Sequence, residues 1–376
     1  MIYLDNASTT RFKPKETIDA LVKAVKKQAN PGRSSHKDAV ESALVCYKTR
    51  EKLKSFFHCD GGNVIFTKNC TEALNLAILG TIPERGKIIT TVAEHNSVLR
   101  PLYYLARKKG VKIITLKLAK DGHVPPYRIE NALDSDTFMV VLNHTSNVNG
   151  VTSNIHEIGK ITAKRGVKLL LDGAQSAGHE DINMHECNVD MLAIPAHKGL
   201  LGVQGLGALI FTERCSPSPL IFGGTGTNSD SVYHPKDAPE AYEAGTVNYP
   251  AISALGASLE YLQNQQDKIV SKIKYLTNEL LYGLKNIKNV NIYTPSSALS
   301  GVVSFNIGEK QSGMVSDILS QRFDIAVRSG LHCAPLMHNF LGTLEQGTVR
   351  ISIGAGNTKK EIIYTLNAIE KIAKEV

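Results

Sequence analysis

The chain lacks paired cysteines. Its six cysteines, Cys46, Cys59, Cys70, Cys187, Cys215 and Cys333, are scattered over 376 residues without a CxxC or any regular spacing. That argues against a disulfide framework and a structural zinc site. His332, Cys333 and His338 alone have a metal-like composition, and three ligands in one short turn without a fourth make a poor site, so no metal is expected. No stretch approaches the roughly 18 uninterrupted apolar residues of a membrane span. The opening MIYLDNASTT has no basic segment followed by an apolar run, so no secretory signal is expected. A cytoplasmic, reducing location is the default. Blocks of one charge are missing too. The net charge of +8 is dispersed, and its densest cluster, ARKKG at 106–110, suits the negative end of a helix dipole. Neither a nucleic acid nor a membrane is expected as partner. Repeats, low-complexity tracts and long linkers are also absent.

What is present is an ordinary globular composition at a length that favours two domains, or a large one with a small one. β-branched apolar runs alternate with amphipathic segments: NVIF (63–66), KIITTV (87–92), TFMVVLNH (137–144), VKLLLDGA (167–174), DMLAIP (190–195) and GALIFTE (207–213). This pattern predicts an α/β fold with a mostly parallel sheet covered on both faces. Ligands of such sheets bind at the carboxyl ends of the strands. Beyond about residue 250 a long helical stretch leads into VNIYTP, GVVSFNIG and GTVRISIGA, and the tail repeats Ile362, Leu366, Ile369 and Ile372 at helical spacing. The expected division is a large domain over 14–255 and a smaller α+β domain formed by 1–13 and 256–376.

Four strand ends carry unusual residues. FTKNCTEALN (66–75) reads as strand, tight loop and helix start, with Thr71 at the N-cap and Glu72 in the first turn; it suits a phosphate or an ordinary helix cap. LLLDGAQSAG (169–178) places Asp172 after a buried strand, where its charge needs a protonated ring nitrogen or a salt-bridge partner. In IPAHKGLLGVQGLGALIF (194–211), Lys198 occupies a glycine-rich turn between apolar strands. It is either a surface lysine or an amine able to lose its proton and attack a carbonyl. His95 of EHNSV (94–98) is placed to stack on a flat ring, to shuttle a proton or to hydrogen-bond its own loop. Taken together, a phosphate cup, a ring-nitrogen carboxylate, an imine-forming lysine and a stacking group are the parts that hold pyridoxal 5'-phosphate. RSGLHCAPLMH (328–338) adds Cys333 between a histidine and a proline, on a turn rather than in a helix or central strand. On its residues alone this thiol is open to reading as a nucleophile, a ligand or an inert packing group.

Motif by motif, the chain resembles the cysteine desulfurase and selenocysteine lyase group of the class V aminotransferase family, which has the fold type I architecture of pyridoxal-phosphate enzymes. YLDNAST (3–9), FTKNCTEALN, EHNS, HTSNVNG (144–150), DGAQ, AHKG, EAGTVN (243–248), RSGLHCAP and GTVRIS (347–352) follow that group's order over nearly the whole length. The resemblance implies that Lys198 anchors the cofactor, that Asp172 and Gln175 contact its ring nitrogen and phenolic oxygen, and that His95 stacks on the ring. It implies cofactor contacts from Cys70, Thr71, Asn147 and His197, and a phosphate contact from Thr246 of a neighbouring subunit in a homodimer. Arg350, with Asn147 and Arg328, would bind the substrate carboxylate end, and Cys333 would carry the persulfide. Two departures stand out: Pro195 replaces a common phosphate-binding serine, and Cys70 a small or hydroxyl residue. The implied activity removes sulfur from L-cysteine, giving L-alanine and a persulfide for an acceptor protein. Alternatives are a selenocysteine lyase acting on L-selenocysteine, another class V aminotransferase or β-lyase, and a non-catalytic scaffold.

Overall fold

Each apolar run named above becomes a strand; in the large sheet helices fill the connections up to the strand of VKLLLDGA, while turns alone join its last three strands in the chain. The computed structural model describes residues 1–27, 29–81 and 86–375. Its first half contains β1 (Ile2–Tyr3), α1 (Lys15–Lys26), α2 (Lys37–Phe56), β2 (Asn63–Thr67), α3 (Cys70–Gly80), β3 (Lys87–Thr91), α4 (Asn96–Lys109) and β4 (Lys112–Leu116). Next come α5 (Pro126–Ala132), β5 (Thr137–Asn143), α6 (Ile155–Lys164), β6 (Lys168–Asp172), β7 (Met191–Pro195) and β8 (Gly207–Phe211). The remainder holds α7 (Tyr249–Lys285), β9 (Val290–Ile292), β10 (Val302–Ile307), α8 (Ser312–Phe323), β11 (Ile325–Ala326), β12 (Arg328–Gly330), α9 (Pro335–Leu341), β13 (Thr348–Ser352) and α10 (Lys359–Lys374).

Seven strands form one sheet in the order β2-β8-β7-β6-β5-β3-β4. All are mutually parallel except β8, which runs antiparallel between β2 and β7. Successive residues of one strand enter opposite cores: Leu169 and Leu171 pack on one face, Leu170 on the other, and Val140 and Val141 divide the same way. This two-sided burial is why the strands read as continuous apolar runs rather than alternating ones. The edge strand β4 is only partly buried and has no such signature.

The small sheet is antiparallel, β12-β13-β10-β9. The chain's start joins this end of the molecule through β1, which pairs with β11, and through a bridge from Asp5 to Ser352. Helix α7 runs unbroken for 37 residues, through the position expected to divide the domains at 255/256. In α10 the buried Ile362, Ile369 and Ile372 share a face as the spacing predicts, and Leu366 packs where Gly283 of α7 has no side chain. Among the described residues no helix is long and apolar enough to cross a membrane.

Candidate active site

The parallel strands bring their carboxyl ends to one edge, and the loops leaving that edge carry the polar residues. Asp172 ends β6 and is 1% exposed. Its Oδ1 accepts from the Ala174 amide at 2.9 Å, with the Cys70 thiol 3.8 Å away. Burial raises its pKa, while the Ala174 amide and the positive charge of Lys198 oppose the rise. The Cys70 thiol, buried and beside this carboxyl, is pushed well above its ordinary value. Cys70 is therefore an inert thiol.

Lys198 lies in the turn between β7 and β8. Desolvation lowers its pKa, the Arg350 and Arg328 charges add to that effect, and Cys70 and Asp172 oppose it. The strap at the chain's start fixes its backbone. The Thr10 hydroxyl donates to the carbonyls of His197 and Lys198 at 3.1 and 3.2 Å, and Lys13 Nζ donates to Thr10 Oγ1 and the His197 carbonyl. His197 is half-buried, its Nδ1 has no partner among the described residues, and burial pushes it down to about 4.

His95 sits beyond the end of β3 as the N-cap of α4. Its Nδ1 accepts from the Ser97 amide at 3.0 Å, so the imidazole is unprotonated there. Burial, with Lys198 next, pushes its pKa down to about 4. Thr71 is not the N-cap of α3, as the sequence suggested. That role belongs to Asn69, whose Oδ1 accepts from the Glu72 amide at 2.9 Å. An N-cap needs a side-chain acceptor reaching the third helical amide; Asn69 meets this, and Thr71 lies inside the first turn. There its hydroxyl lies 2.8 Å from that of Ser97, joining the first turns of α3 and α4.

The small sheet supplies the opposite wall. Arg350 on β13 is 1% exposed and donates to the Asn147 carbonyl at 3.1 Å and to Asp5 and Ser8, each at 3.0 Å. Arg328 on β12 donates to Ser8 and places its other terminal nitrogen 3.9 Å from Cys333 Sγ. Cys333 occupies a four-residue turn between β12 and α9, closed by the Ala334 amide on the Leu331 carbonyl at 2.8 Å. Both His332 and Cys333 have positive φ, 47° and 57°, a conformation that costs a non-glycine residue energy unless the surroundings hold it. Two bonds hold it: the Asn96 amide to the Cys333 carbonyl, and Asn147 Nδ2 to the His332 carbonyl, both 2.7 Å. The His332 ring turns to Thr348 instead of the thiol and is pushed down to about 2 by burial. It is neutral and shapes the turn.

The structure thus brings together Lys198, Asp172, Cys70, His95, His197, Asn147, Arg328, Arg350 and Cys333. Gln175 is buried nearby with its amide nitrogen on the Ala7 carbonyl at 3.0 Å. Thr246 stands apart, exposed in the loop before α7. Residues missed in the sequence include Asp5, Ser8, Thr10 and Lys13 of the strap and Ser97. Four of these five lay within motifs already singled out, YLDNAST and EHNS, or beside them.

Several buried groups lack partners. Among the described residues Asn147 Oδ1 and Arg350 Nε are buried and unmatched, and Lys198 Nζ has no hydrogen-bond partner. Asp172 has no ion pair among the described residues. A buried cluster with a free amine, an unpaired carboxylate and open donors and acceptors is incomplete without a ligand. A flat heteroaromatic aldehyde with a basic ring nitrogen, a phenolic oxygen and a phosphate matches that set.

Comparison with known proteins identifies the family. The family model for aminotransferase class-V matches residues 2–364. A probable cysteine desulfurase of Methanothermobacter thermautotrophicus is 34% identical over 99% of this chain and 94% of its own length. One from Pyrococcus abyssi is 31% identical over 100% and 95%. The solved apo cysteine desulfurase of Thermococcus onnurineus NA1 superposes with a TM-score of 0.93 at 32% identity, covering 100% of this chain and 95% of that one. With the strand-end cluster, the sheet order and these matches in accord, the chain belongs to the class-V aminotransferase family.

Proposed function

We propose that the chain is a pyridoxal-phosphate-dependent cysteine desulfurase, taking sulfur from L-cysteine, releasing L-alanine, and holding the sulfur as a persulfide on Cys333 for an acceptor protein. The observation that carries this reading is the Cys333 thiol on a strained, bonded turn, 3.9 Å from Arg328, whose charge also acts on Lys198. Arg328, touching the thiol and acting on the amine, supports reading Lys198 and Cys333 as parts of one site.

Lys198, Asp172, Gln175, His95, Thr71 and Asn147 would hold the cofactor, with phosphate on the first turn of α3. When bound, pyridoxal phosphate supplies an electron-accepting ring conjugated to the substrate α-carbon. Lys198, depressed in pKa, presents a neutral amine that removes the α-proton. Asp172 keeps a proton on the ring nitrogen. Arg350 binds the substrate carboxylate through its buried fork. Cys333 attacks as thiolate: the new bond joins its Sγ to the substrate sulfur, the carbon–sulfur bond breaks, and the electron pair stays on the β-carbon, which takes a proton to become the methyl group of alanine. Arg328 offsets the thiolate charge.

In this reading 14–255 form the cofactor unit, while 1–13 and 256–376 bring the thiol. A homodimer is part of the proposal: Thr246 is exposed, as are the apolar Phe222, Val232 and Tyr233 of the same loop region. A reducing cytoplasm keeps the thiol available. The test is Cys333→Ser incubated with cysteine and a reductant. Alanine formation should fall at least about a hundredfold, the loss expected for removing a nucleophile, while the borohydride-bleachable yellow colour persists. Alanine at the wild-type rate would refute the persulfide.

A further inference from the structure

One carboxyl near the site has no part in the chemistry above. Glu94, between β3 and α4, is 0% exposed. Its Oε1 accepts from the Thr91 hydroxyl at 2.7 Å, and the Asn143 backbone amide supports the carboxyl from β5. Its Oε2 is buried and has no partner among the described residues. The charged group that acts on it is Asp172, another acid.

The two acids have unequal surroundings. Asp172 has the Ala174 amide, the Cys70 thiol, the Asn143 side chain and the positive charge of Lys198 to stabilise an anion. Glu94 has one hydroxyl and the backbone amides of Asn143 and Thr91, and it faces a like charge. Ionising both would bury two neighbouring anions, which is costly. Where two nearby acids are treated this differently, one holds the charge and the other the proton. Asn143 links them. It stands opposite Asp172 in the β5–β6 register, its backbone turned to Glu94 and its side chain to Asp172. The Asn143 side-chain oxygen is also buried without a partner. Unmet buried acceptors are rare in native folds, and an acid that keeps its proton carries an O–H that a carboxylate lacks.

We propose that Glu94 is a neutral carboxylic acid at neutral pH and a positioning residue that holds Asn143, and through it Asp172, leaving Asp172 as the single anion for the cofactor ring. The role toward the ring rests on the cofactor reading above; the protonation state does not.

Infrared difference spectra of the cofactor-free chain, wild type minus Glu94→Gln, test the protonation state directly. At neutral pH the expected signal is the carbonyl stretch of a protonated carboxyl, moving on transfer to deuterium oxide. Carboxylate stretches in its place overturn the proposal. Pyridoxal phosphate titration tests the positioning role. Glutamine keeps a neutral group of the same shape, so Glu94→Gln should bind within about twofold of wild type. Glu94→Leu, which cannot hydrogen-bond, should bind about tenfold more weakly, the cost of one unmade buried hydrogen bond. Equal losses in both variants overturn the role. Burial pushes Glu94 up to about 8, so wild-type affinity should weaken above that pH relative to Glu94→Gln. Wild-type and Glu94→Gln curves that superpose there overturn it as well. If the chain binds no pyridoxal phosphate, the functional reading fails while the infrared band still decides the state of Glu94.

Discussion

Arg328 and Arg350 stand directly opposite each other across the β12–β13 pair, and one hydroxyl, that of Ser8, accepts from both at 3.0 Å. The same hydroxyl donates to Asp5 Oδ1 at 2.7 Å. A hydroxyl has one proton and two lone pairs, so Ser8 is saturated and its orientation is determined. Asp5 neutralises Arg350 directly and Arg328 through Ser8, which makes two like charges tolerable side by side.

Ser8→Ala should therefore release Arg328 while leaving Arg350 on Asp5 and the Asn147 carbonyl. Cys333 is the one cysteine that is not buried, so iodoacetamide labelling at neutral pH reports on it. Labelling should slow several-fold, in line with the loss of a charge-assisted contact, and KM for cysteine should stay within about twofold. Ser8→Thr should restore the rate. Unchanged labelling in Ser8→Ala would show that Arg328 keeps its place without Ser8.

Arg350→Lys tests the carboxylate clamp. Lysine carries the charge but not the fork, and it leaves Asp5 and the Asn147 carbonyl short of donors. Denaturant unfolding should show a loss of about 1–3 kcal/mol, the cost of buried acceptors left without donors. Steady-state alanine production should show KM raised at least about tenfold, with kcat less affected. An unchanged KM would place the substrate carboxylate elsewhere.

The layout of the large sheet was legible because both its faces are buried: NVIF, KIITTV and VKLLLDGA have no polar face to blur them. The same rule explains the omission of β4, an edge strand with partial cover. Lys198, Asp172 and Cys333 stood out because a lysine, an acid and a thiol are unusual at strand ends and tight turns; their proposed roles came from the family resemblance. Ser8 and Thr10 did not, because a hydroxyl is cheap anywhere and its importance comes from partners far along the chain, 320 residues away for Arg328. Thr71 was misplaced by two residues because Asn69 and Thr71 are both acceptable N-caps; backbone geometry, absent from the letters, chose between them.

Gly207→Ala probes the α3 start. A Cβ at Gly207 would lie 2.4 Å from the Asn69 carbonyl carbon and 2.7 Å from the Cys70 nitrogen. Both are backbone atoms, so the first turn of α3 must move. Amides that bind phosphate work only where they converge. Cofactor affinity should fall at least about tenfold, while thermal stability falls by the roughly 1–3 kcal/mol typical of overpacking. Undiminished affinity measured by dialysis would mean that phosphate is not held at this helix start.

The pH dependence of stability has two limbs of opposite origin. Burial pushes His95, His144, His197 and His338 down to about 4, and His332 to about 2, from an ordinary 6.5. Below 6.5 the unfolded chain therefore binds protons that the folded chain refuses. Their contribution is whole above 6.5 and is lost as pH falls toward 4. Glu94 runs the other way. Its folded value near 8 exceeds the ordinary 4.5, so its contribution is whole below 4.5 and is lost as pH rises to about 8. Calorimetric Tm of the cofactor-free chain should fall steeply on acidification below 6.5 and more gently on the alkaline side. Glu94→Gln should flatten the decline from 6.5 to about 8 and, because Glu94 opposes the histidines between 4.5 and 6.5, steepen the acid limb by the share of one proton. His144→Asn should instead reduce the acid slope by the share of one proton. A Tm that holds level from pH 6.5 down to about 4.5 would show that these histidines protonate in the folded chain, and that the neutral His95 of the proposed site is wrong with them.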